Sequence, residues 1–193
     1  MLLLSVWQVN AQESKTVFGL KTGFNVSGLS ATVNSEPIFK TGFHFGIYTR
    51  TSIGASWHFR PELYYSRQGQ KEKPDRSTAE AKVILNYVNL PLLFETGKTV
   101  TFQFGPQIGF RASSKYQETM GNDKVDEDTK DITAGADLSL VLGLGINANE
   151  NLNFGVRLNY GLTDVYKVEP DIPGVAFPEI KNRVFHLYIG YSF

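Results

Sequence analysis

Residues 151–164, NLNFGVRLNYGLTD, place an arginine among residues that alternate between large apolar and small polar types. Arg157 shares the polar side of that alternation with Asn153, Gly155 and Asn159. The same alternation in other segments assigns further charged residues to the polar side. The complete set is Lys21, Arg50, Arg60, Glu62, Glu95, Arg111, Asp137 and Arg157. If that side faces a confined interior, these charges must be paired and hydrogen-bonded.

The charged set permits two kinds of interior. If the strands form a β-barrel with the polar side inside, we expect one central network of charges in its interior and two outlying charges nearer its external end. The network comprises Arg60, Glu62, Glu95 and Arg157, and the outliers are Arg111 and Asp137. Such a set would either be the selectivity constriction of a narrow pore or form a salt-bridged plug. A plug is favoured inside an eight-stranded barrel, because eight strands enclose little more than their own side chains.

Three histidines, His44, His58 and His186, fall on the same polar side. They could bind a metal only at matching heights, and the strand positions put His58 and His44 towards opposite ends. We therefore expect interior histidines without a metal. The sequence contains no GxSxG, HExxH or phosphate-loop motif. No catalytic, metal-binding or cofactor-binding residue is predicted, and we expect no enzyme; a membrane-embedded hydrolase is the enzymatic alternative.

The composition excludes several classes of protein. Lys plus Arg and Asp plus Glu each number 19, so the formal net charge is zero and no global field favours nucleic acid. The absence of cysteine excludes disulfides, thiolate metal sites and a cysteine nucleophile. No apolar run reaches the ~18 residues that indicate a membrane-spanning helix.

Period-two alternation predicts eight antiparallel strands. Their approximate ranges are 16–27, 40–52, 55–69, 83–96, 99–112, 132–147, 151–164 and 183–193. Short turns and long connections alternate, and the long ones cover 28–39, 70–82, 113–131 and 165–182. An up-and-down meander puts every long loop at one end, as in outer-membrane barrels. An even strand number puts both termini at the turn end, which we expect to be periplasmic.

The bulk of the apolar face decides which side lies inside. That face carries Phe, Leu, Ile and Tyr on nearly every strand, which is too bulky for the interior of an eight-stranded barrel. The opposite face is rich in Gly, Ser, Thr and Asn, which suits a narrow lumen. Strands of roughly 10 residues or more can also cross a bilayer at a tilt. The sequence therefore predicts an all-β, eight-stranded transmembrane barrel rather than a soluble lipocalin-like barrel.

Both ends of the sequence carry features of exported proteins. Residues 1–11 resemble the end of a secretory signal peptide, with an apolar core and small residues before Gln12. Residues 12–193 would then be the barrel domain. No Lys or Arg precedes the apolar core, which a start codon placed too late would explain. We predict that Phe193, after the alternation of the last strand, is the aromatic signal for insertion.

Several segments resemble the outer-membrane β-barrel family common in Bacteroidota, often labelled porin-family or PorT-like. They are FGLKTGFNVSGLS, KTGFHFGIYTR, FRPELYYSRQG, NYVNLPLLFE, FQFGPQIGF and FHLYIGYSF, within residues 16–193. The most specific pieces are Pro61-Glu62-Leu63 and Leu90-Pro91-Leu92. The resemblance implies an eight-stranded barrel in the outer membrane. The role of this family is mostly undefined, and some relatives belong to a protein secretion and gliding system.

Two of the long loops contain residues that could bind a ligand or a partner. Loop 113–131 contains four candidate Ca²⁺ ligands but lacks the fixed glycine of an EF-hand, so we expect a solvated mobile loop. The candidate ligands are Asp123, Asp126, Asp128 and Asp131. Loop 165–182 has an apolar tip at residues 175–177, VAF, which could contact a partner or fold over the barrel mouth.

The predicted function is that of a non-enzymatic outer-membrane barrel with a largely plugged lumen, structural or interacting through its external loops. The alternative is a narrow diffusion channel or a component of a protein secretion or transport system. We expect outer-membrane lipid, the barrel assembly machinery and a protein at the external loops as partners, and neither a cofactor nor nucleic acid. The predicted location is the outer membrane of a Gram-negative bacterium, with multiple crossings and periplasmic termini.

Overall fold

The computed structural model describes residues 15–31, 39–72, 80–120, 123–166 and 179–193. The predicted signal segment 1–11 and the apolar tip at 175–177 lie outside the described residues. Within the described ranges the chain forms nine strands. They are β1 (Thr16–Ala31), β2 (Lys40–Ser52), β3 (Trp57–Glu72), β4 (Glu80–Gly97), β5 (Val100–Met120), β6 (Asp123–Asp128), β7 (Ala136–Asn147), β8 (Leu152–Asp164) and β9 (Ile180–Ser192).

All of these strands except β6 close into an antiparallel barrel. They follow the order β4-β3-β2-β1-β9-β8-β7-β5, and β4 also pairs with β5, which closes the ring. Closure satisfies the backbone groups of the ring without water, as a membrane interior requires. The predicted eight-stranded, up-and-down barrel is therefore confirmed. In the part of the chain that the structure describes, no helix is long and apolar enough to span a membrane.

The short connections share one end of the barrel, here called the turn end. They are residues 53–56, 98–99 and 148–151. The first and last described residues lie there too, since Ser52 N donates to Lys15 O at 3.1 Å and Phe193 N donates to Phe18 O at 2.8 Å. Gly97 enters the turn after β4 with a φ of 111°, a conformation that favours glycine. The opposite end is called the loop end.

One side of the barrel extends beyond the rest at the loop end. β5 runs to Met120, and its last residues pair with β6, while β3 and β4 extend beside it. The long connection predicted over 113–131 is therefore largely a hairpin of two strands, contrary to expectation, and strand β7 begins at Ala136 rather than at 132. The alternation that predicts a strand requires apolar residues along one of its faces. The β5–β6 hairpin has polar residues on both faces, so its sequence lacks that signal.

A β-bulge marks the start of this extension. Tyr87 pairs with Arg111 and Asn86 pairs with Ser113, which leaves Ala112 as the additional residue on β5. Before the bulge the odd-numbered residues of β5 are buried, and after it Ser114 is buried instead. A strict period of two fails at this point because one extra residue exchanges the two faces of the strand.

The outward face of the ring is apolar and exposed. On β7, Leu140, Leu142 and Leu144 are 48%, 52% and 55% exposed, whereas the alternate residues point inward and are buried. A continuous band of this kind is far larger than the apolar patches of water-soluble monomers. It matches the lipid-facing surface of a transmembrane barrel, which is flanked by water at both ends.

We expect Leu142→Arg to lower the free energy of unfolding by about 2–4 kcal/mol, because it places a cation in the middle of the lipid-facing band. Val125 on β6 is a matched control, because it is 65% exposed but lies beyond the ring. Val125→Arg should change the free energy of unfolding by less than about 0.5 kcal/mol. Urea unfolding in lipid vesicles, followed by tryptophan fluorescence, measures both. Equal effects of the two substitutions would contradict the assignment of the lipid face.

Candidate functional site

One carboxylate, that of Glu62 on β3, forms the centre of the lumen. Its Oε2 accepts hydrogen bonds from Lys21 Nζ at 2.9 Å and from Arg157 NH1 at 2.7 Å. Its Oε1 accepts from Arg60 Nε at 2.8 Å and from Arg157 NH2 at 2.7 Å. All four side chains are at most 2% exposed. A single buried carboxylate thus binds three cations.

The Arg157–Glu62 pair spans the lumen. Strands β3 and β8 are separated by β2, β1 and β9 on one side of the ring and by β4, β5 and β7 on the other. They are therefore diametrically opposite. The guanidinium meets the carboxylate through two parallel N–H···O bonds, the strongest geometry for this kind of pair. We call this pair the crossbar, because it joins opposite walls of the barrel.

Glu95 on β4 is a second carboxylate centre, nearer the turn end. Its Oε1 accepts from Arg50 Nε at 2.6 Å, and its Oε2 accepts from Arg60 NH1 at 3.1 Å and from Gln103 Nε2 at 2.7 Å. Arg60 therefore connects the two centres. The cations of the connected network, Lys21, Arg50, Arg60 and Arg157, outnumber its carboxylates, Glu62 and Glu95.

Tyrosine rings lie against the buried cations. The contacts between cation and ring centre are Arg60 over Tyr48 at 3.9 Å, Arg157 over Tyr188 at 4.6 Å and Lys21 over Tyr64 at 4.7 Å. The face of an aromatic ring carries partial negative charge and attracts a cation. The rings therefore offset part of the positive surplus of the network.

Glycines on β7 and β8 make room for Tyr188. A Cβ on Gly155 would lie 2.5 Å from the Tyr188 hydroxyl oxygen, and a Cβ on Gly145 would lie 3.2 Å from it. Gly155, on the lumen face of NLNFGVRLNYGLTD, thus has a steric role, because it leaves space for an aromatic ring from β9. Gly143 on β7 does the same for Arg157, since a Cβ there would lie 2.8 Å from the Arg157 Cγ.

Mostly neutral side chains fill the lumen between the crossbar and the loop end, where the buried Lys40 Nζ donates to the Gln68 carbonyl at 2.9 Å. Tyr64 donates its hydroxyl hydrogen to Gln107 Oε1 at 2.7 Å, and Asn159 Nδ2 donates to the Tyr64 hydroxyl at 3.2 Å. Asn182 Nδ2 donates to Gln68 Oε1 at 2.5 Å. Tyr64 lies on β3 and Asn159 on β8, so this layer also joins opposite walls.

Two of the three histidines meet in this neutral layer. The Nδ1 atoms of His44 and His186 are 3.2 Å apart, which allows one ring to donate to the other. His58 Nδ1 instead lies 3.1 Å from Arg50 NH2, towards the turn end. Among the described residues, no three or more His, Cys, Asp or Glu side chains are grouped so as to hold a metal ion.

The last two charges of the predicted set lie at the loop end, outside the network. Arg111 NH1 donates to the Lys130 carbonyl at 2.9 Å and to the Thr133 hydroxyl at 2.5 Å. Asp137 Oδ1 accepts from Thr163 Oγ1 at 3.1 Å. These contacts fix the segment that leads into β7 and add no charge to the centre of the lumen.

An apolar cluster fills the lumen at the loop end. Its members are Leu29, Val83, Leu85, Tyr87 and Val165, with Tyr116, Tyr166 and Ile180 packed against them. This cluster was not predicted, because a polar lumen was expected over its whole length. The sequence signal for it is KVILNYV at the start of β4, where Val83, Ile84 and Leu85 make both faces of the strand apolar. Further along β4, one face is apolar and the other is polar.

The model of a protein family described as Outer membrane protein beta-barrel domain matches residues 10–167 of the chain. The chain belongs to this family. No curated protein sequence matches it.

Solved structures share the fold of this outer-membrane barrel. One is Ail, the attachment invasion locus protein of Yersinia pestis, in complex with the heparin analogue sucrose octasulfate, at 15% identity and a TM-score of 0.52 over 93% of this chain and 99% of that chain. Another is Neisserial surface protein A, at 16% identity and a TM-score of 0.52 over 91% of this chain and 97% of that chain. At these identities the likeness concerns the fold alone.

We expect Glu62→Gln to lower the free energy of unfolding of the barrel by about 3–5 kcal/mol, because three buried cations lose the carboxylate that they share. Asp128→Asn is the control, since Asp128 forms an exposed ion pair with Lys130 at 3.5 Å. Exposed pairs contribute little, so this substitution should leave the unfolding midpoint unchanged. Denaturant unfolding in vesicles compares the two. A Glu62→Gln variant as stable as the control would refute the central role of this carboxylate.

Proposed function

We propose that this outer-membrane barrel is a non-enzymatic protein with a sealed lumen that acts through its loop end. The observation that carries the proposal is the crossbar, in which Arg157 and Glu62 meet across the full width of the barrel. A passing solute would have to separate this buried pair, which leaves uncompensated charges at a high cost in free energy. The neutral layer and the apolar cluster lie beyond it and would also have to open.

The loop-end extension supports an interaction role. β5 and β6 project beyond the ring, and residues 124–128 are exposed there. A rigid barrel with long loops at one end is a scaffold on which binding surfaces vary without loss of the fold. The partner at this end is a protein, and the apolar band holds the barrel in outer-membrane lipid.

Orientation and export complete the proposal. The turn end with both termini faces the periplasm, in keeping with the short periplasmic turns of bacterial barrels. Residues 1–11 belong to an export signal. Phe193 is the insertion signal for the barrel assembly machinery. Its ring is 71% exposed and lies 5.4 Å from the ring centre of Tyr191, so an aromatic pair is presented outwards at the turn end.

The resemblance to the porin-family, PorT-like barrels of Bacteroidota gives the family branch that we propose. Its two most specific pieces, Pro61-Glu62-Leu63 and Leu90-Pro91-Leu92, are neighbours in the barrel wall, because Pro61 pairs with Leu92. The first piece contains the carboxylate of the crossbar. Because the two pieces combine neighbouring residues of the barrel wall with the carboxylate of Glu62, they support a lumen built in the same way in these relatives.

A second candidate function is a narrow diffusion channel or a component of a protein secretion or transport system. The surplus of buried cations over carboxylates favours the channel over the secretion component, because an anion-selective constriction uses such a surplus. The charges are, however, engaged in direct pairs rather than arranged around an open ring.

We expect the purified barrel to produce no stable openings in planar lipid bilayers. The double variant Glu62→Ala/Arg157→Ala removes the crossbar but leaves the neutral layer and the apolar cluster in place, so we expect small, brief openings rather than stable ones. Leu142→Ala, on the lipid face, is the control and should remain silent. Stable openings of the unmodified barrel that change in size or selectivity on Arg157→Gln would favour the channel and defeat the sealed lumen.

A further inference from the structure

A vestibule of about 640 Å³ opens at the turn end of the lumen. Its floor includes three buried polar residues, Arg60, Asn153 and Ser192, which are at most 7% exposed. Arg60 in turn donates to Glu62 of the crossbar at 2.8 Å. The vestibule is therefore blind: it is open to water at the turn end and closed by the charged network within. A blind polar pocket suits binding better than passage.

The charge around this vestibule is mainly positive. Its cationic lining residues are Lys15, Arg50, Arg60 and Lys98, and its acidic lining residue is Glu150. The nearby Glu95 offsets part of this positive charge, because it pairs with Arg50 and Arg60, but the four cations still outnumber Glu95 and Glu150. A concave site with one dominant sign of charge concentrates counter-ions. The vestibule should therefore attract anions.

Arg50 is held in place for such a role. Its side chain is 24% exposed, its Nε donates to Glu95, and its NH2 lies 3.1 Å from His58 Nδ1. Among the described residues, NH1 makes no hydrogen bond and is available to a ligand. Because arginine can only donate, His58 Nδ1 must accept, which leaves the proton on Nε2 as a further donor. Donors fixed before binding lose little conformational entropy when a ligand arrives.

We propose that the turn-end vestibule binds a small, multiply charged oxyanion, such as a diphosphate or a tricarboxylate. Arg50 NH1 would supply a charge-assisted hydrogen bond to an oxygen of a phosphate or carboxylate group. Lys15 and Lys98, both exposed, add charge without a fixed direction. The volume is that of an ordinary small-molecule site. Since the vestibule opens along the barrel axis and not through the lipid-facing wall, its ligand comes from water.

Calorimetric titration of the full chain in detergent micelles, at physiological ionic strength, tests this site. The probes are pyrophosphate and citrate, with sucrose as an uncharged comparison. We expect saturable binding at one site for pyrophosphate, citrate or both, and none for sucrose. Binding of pyrophosphate alone assigns a phosphate ligand, and binding of citrate alone assigns a carboxylate ligand. Absence of saturable binding by both anions overturns the proposal.

Substitutions locate the binding within the vestibule. Arg50→Gln should weaken binding by at least about tenfold, because it removes the anchoring, charge-assisted hydrogen bonds. Since Arg50 also contacts Glu95, the variant Lys15→Gln/Lys98→Gln provides a second test that leaves the buried network intact. It too should weaken binding. Lys124→Gln on β6 removes one exposed cation far from the vestibule and should leave the affinity unchanged. Equal affinities of the double variant and the Lys124→Gln control overturn the proposal.

The blind shape of the vestibule rests on the sealed lumen proposed above, but the two proposals fail separately. A barrel that conducts and still binds pyrophosphate through Arg50 refutes only the sealed lumen. A silent barrel that binds neither anion refutes only the oxyanion site.

Discussion

The interior of the barrel depends on the carboxylate of Glu62. Three cations lie within hydrogen-bonding distance of it, in a region where unpaired charges are poorly tolerated. The carboxylate can reach Arg157 only because closure of the ring sets β3 opposite β8. Arg60 then extends the pairing to Glu95 and thus to the turn end. The ion pairs of Glu62 therefore depend on closure of the strand ring, and the closed ring depends on these pairs to neutralise the charges that it encloses.

The lumen changes character along its axis, and each part has its own physical basis. Charged groups dominate near the turn end, neutral amides and hydroxyls follow, and apolar side chains close the loop end. Tyr64 lies at the junction, because its phenol offers a ring face to Lys21 and a hydroxyl to the amides of Gln107 and Asn159. The side chains that fill the lumen thus differ in chemistry between the two ends of the barrel.

Much of the fold could be predicted, because the strands of a membrane barrel alternate apolar residues that face lipid with polar residues that face the lumen. Strand number, alternating connection lengths and the lumen side of Arg157 all follow from that period of two. The partner of Arg157 could not be predicted, since Glu62 and Glu95 share a face and only the stagger between distant strands sets their heights. Ala112 and β6 could not be predicted either. A bulge breaks the period, and a hairpin in water has no lipid-facing side.

The crossbar joins residues that are 95 positions apart in the chain. Because β3 and β8 lie half a ring apart, a sheet built from half of the strands cannot contain both partners. Even a larger open sheet would hold them at a distance until its edges, β4 and β5, curl together and pair. Until then Arg157 would enter lipid without its counter-charge. Pairing of these charges should therefore favour completion of the ring over a partly closed sheet in the bilayer.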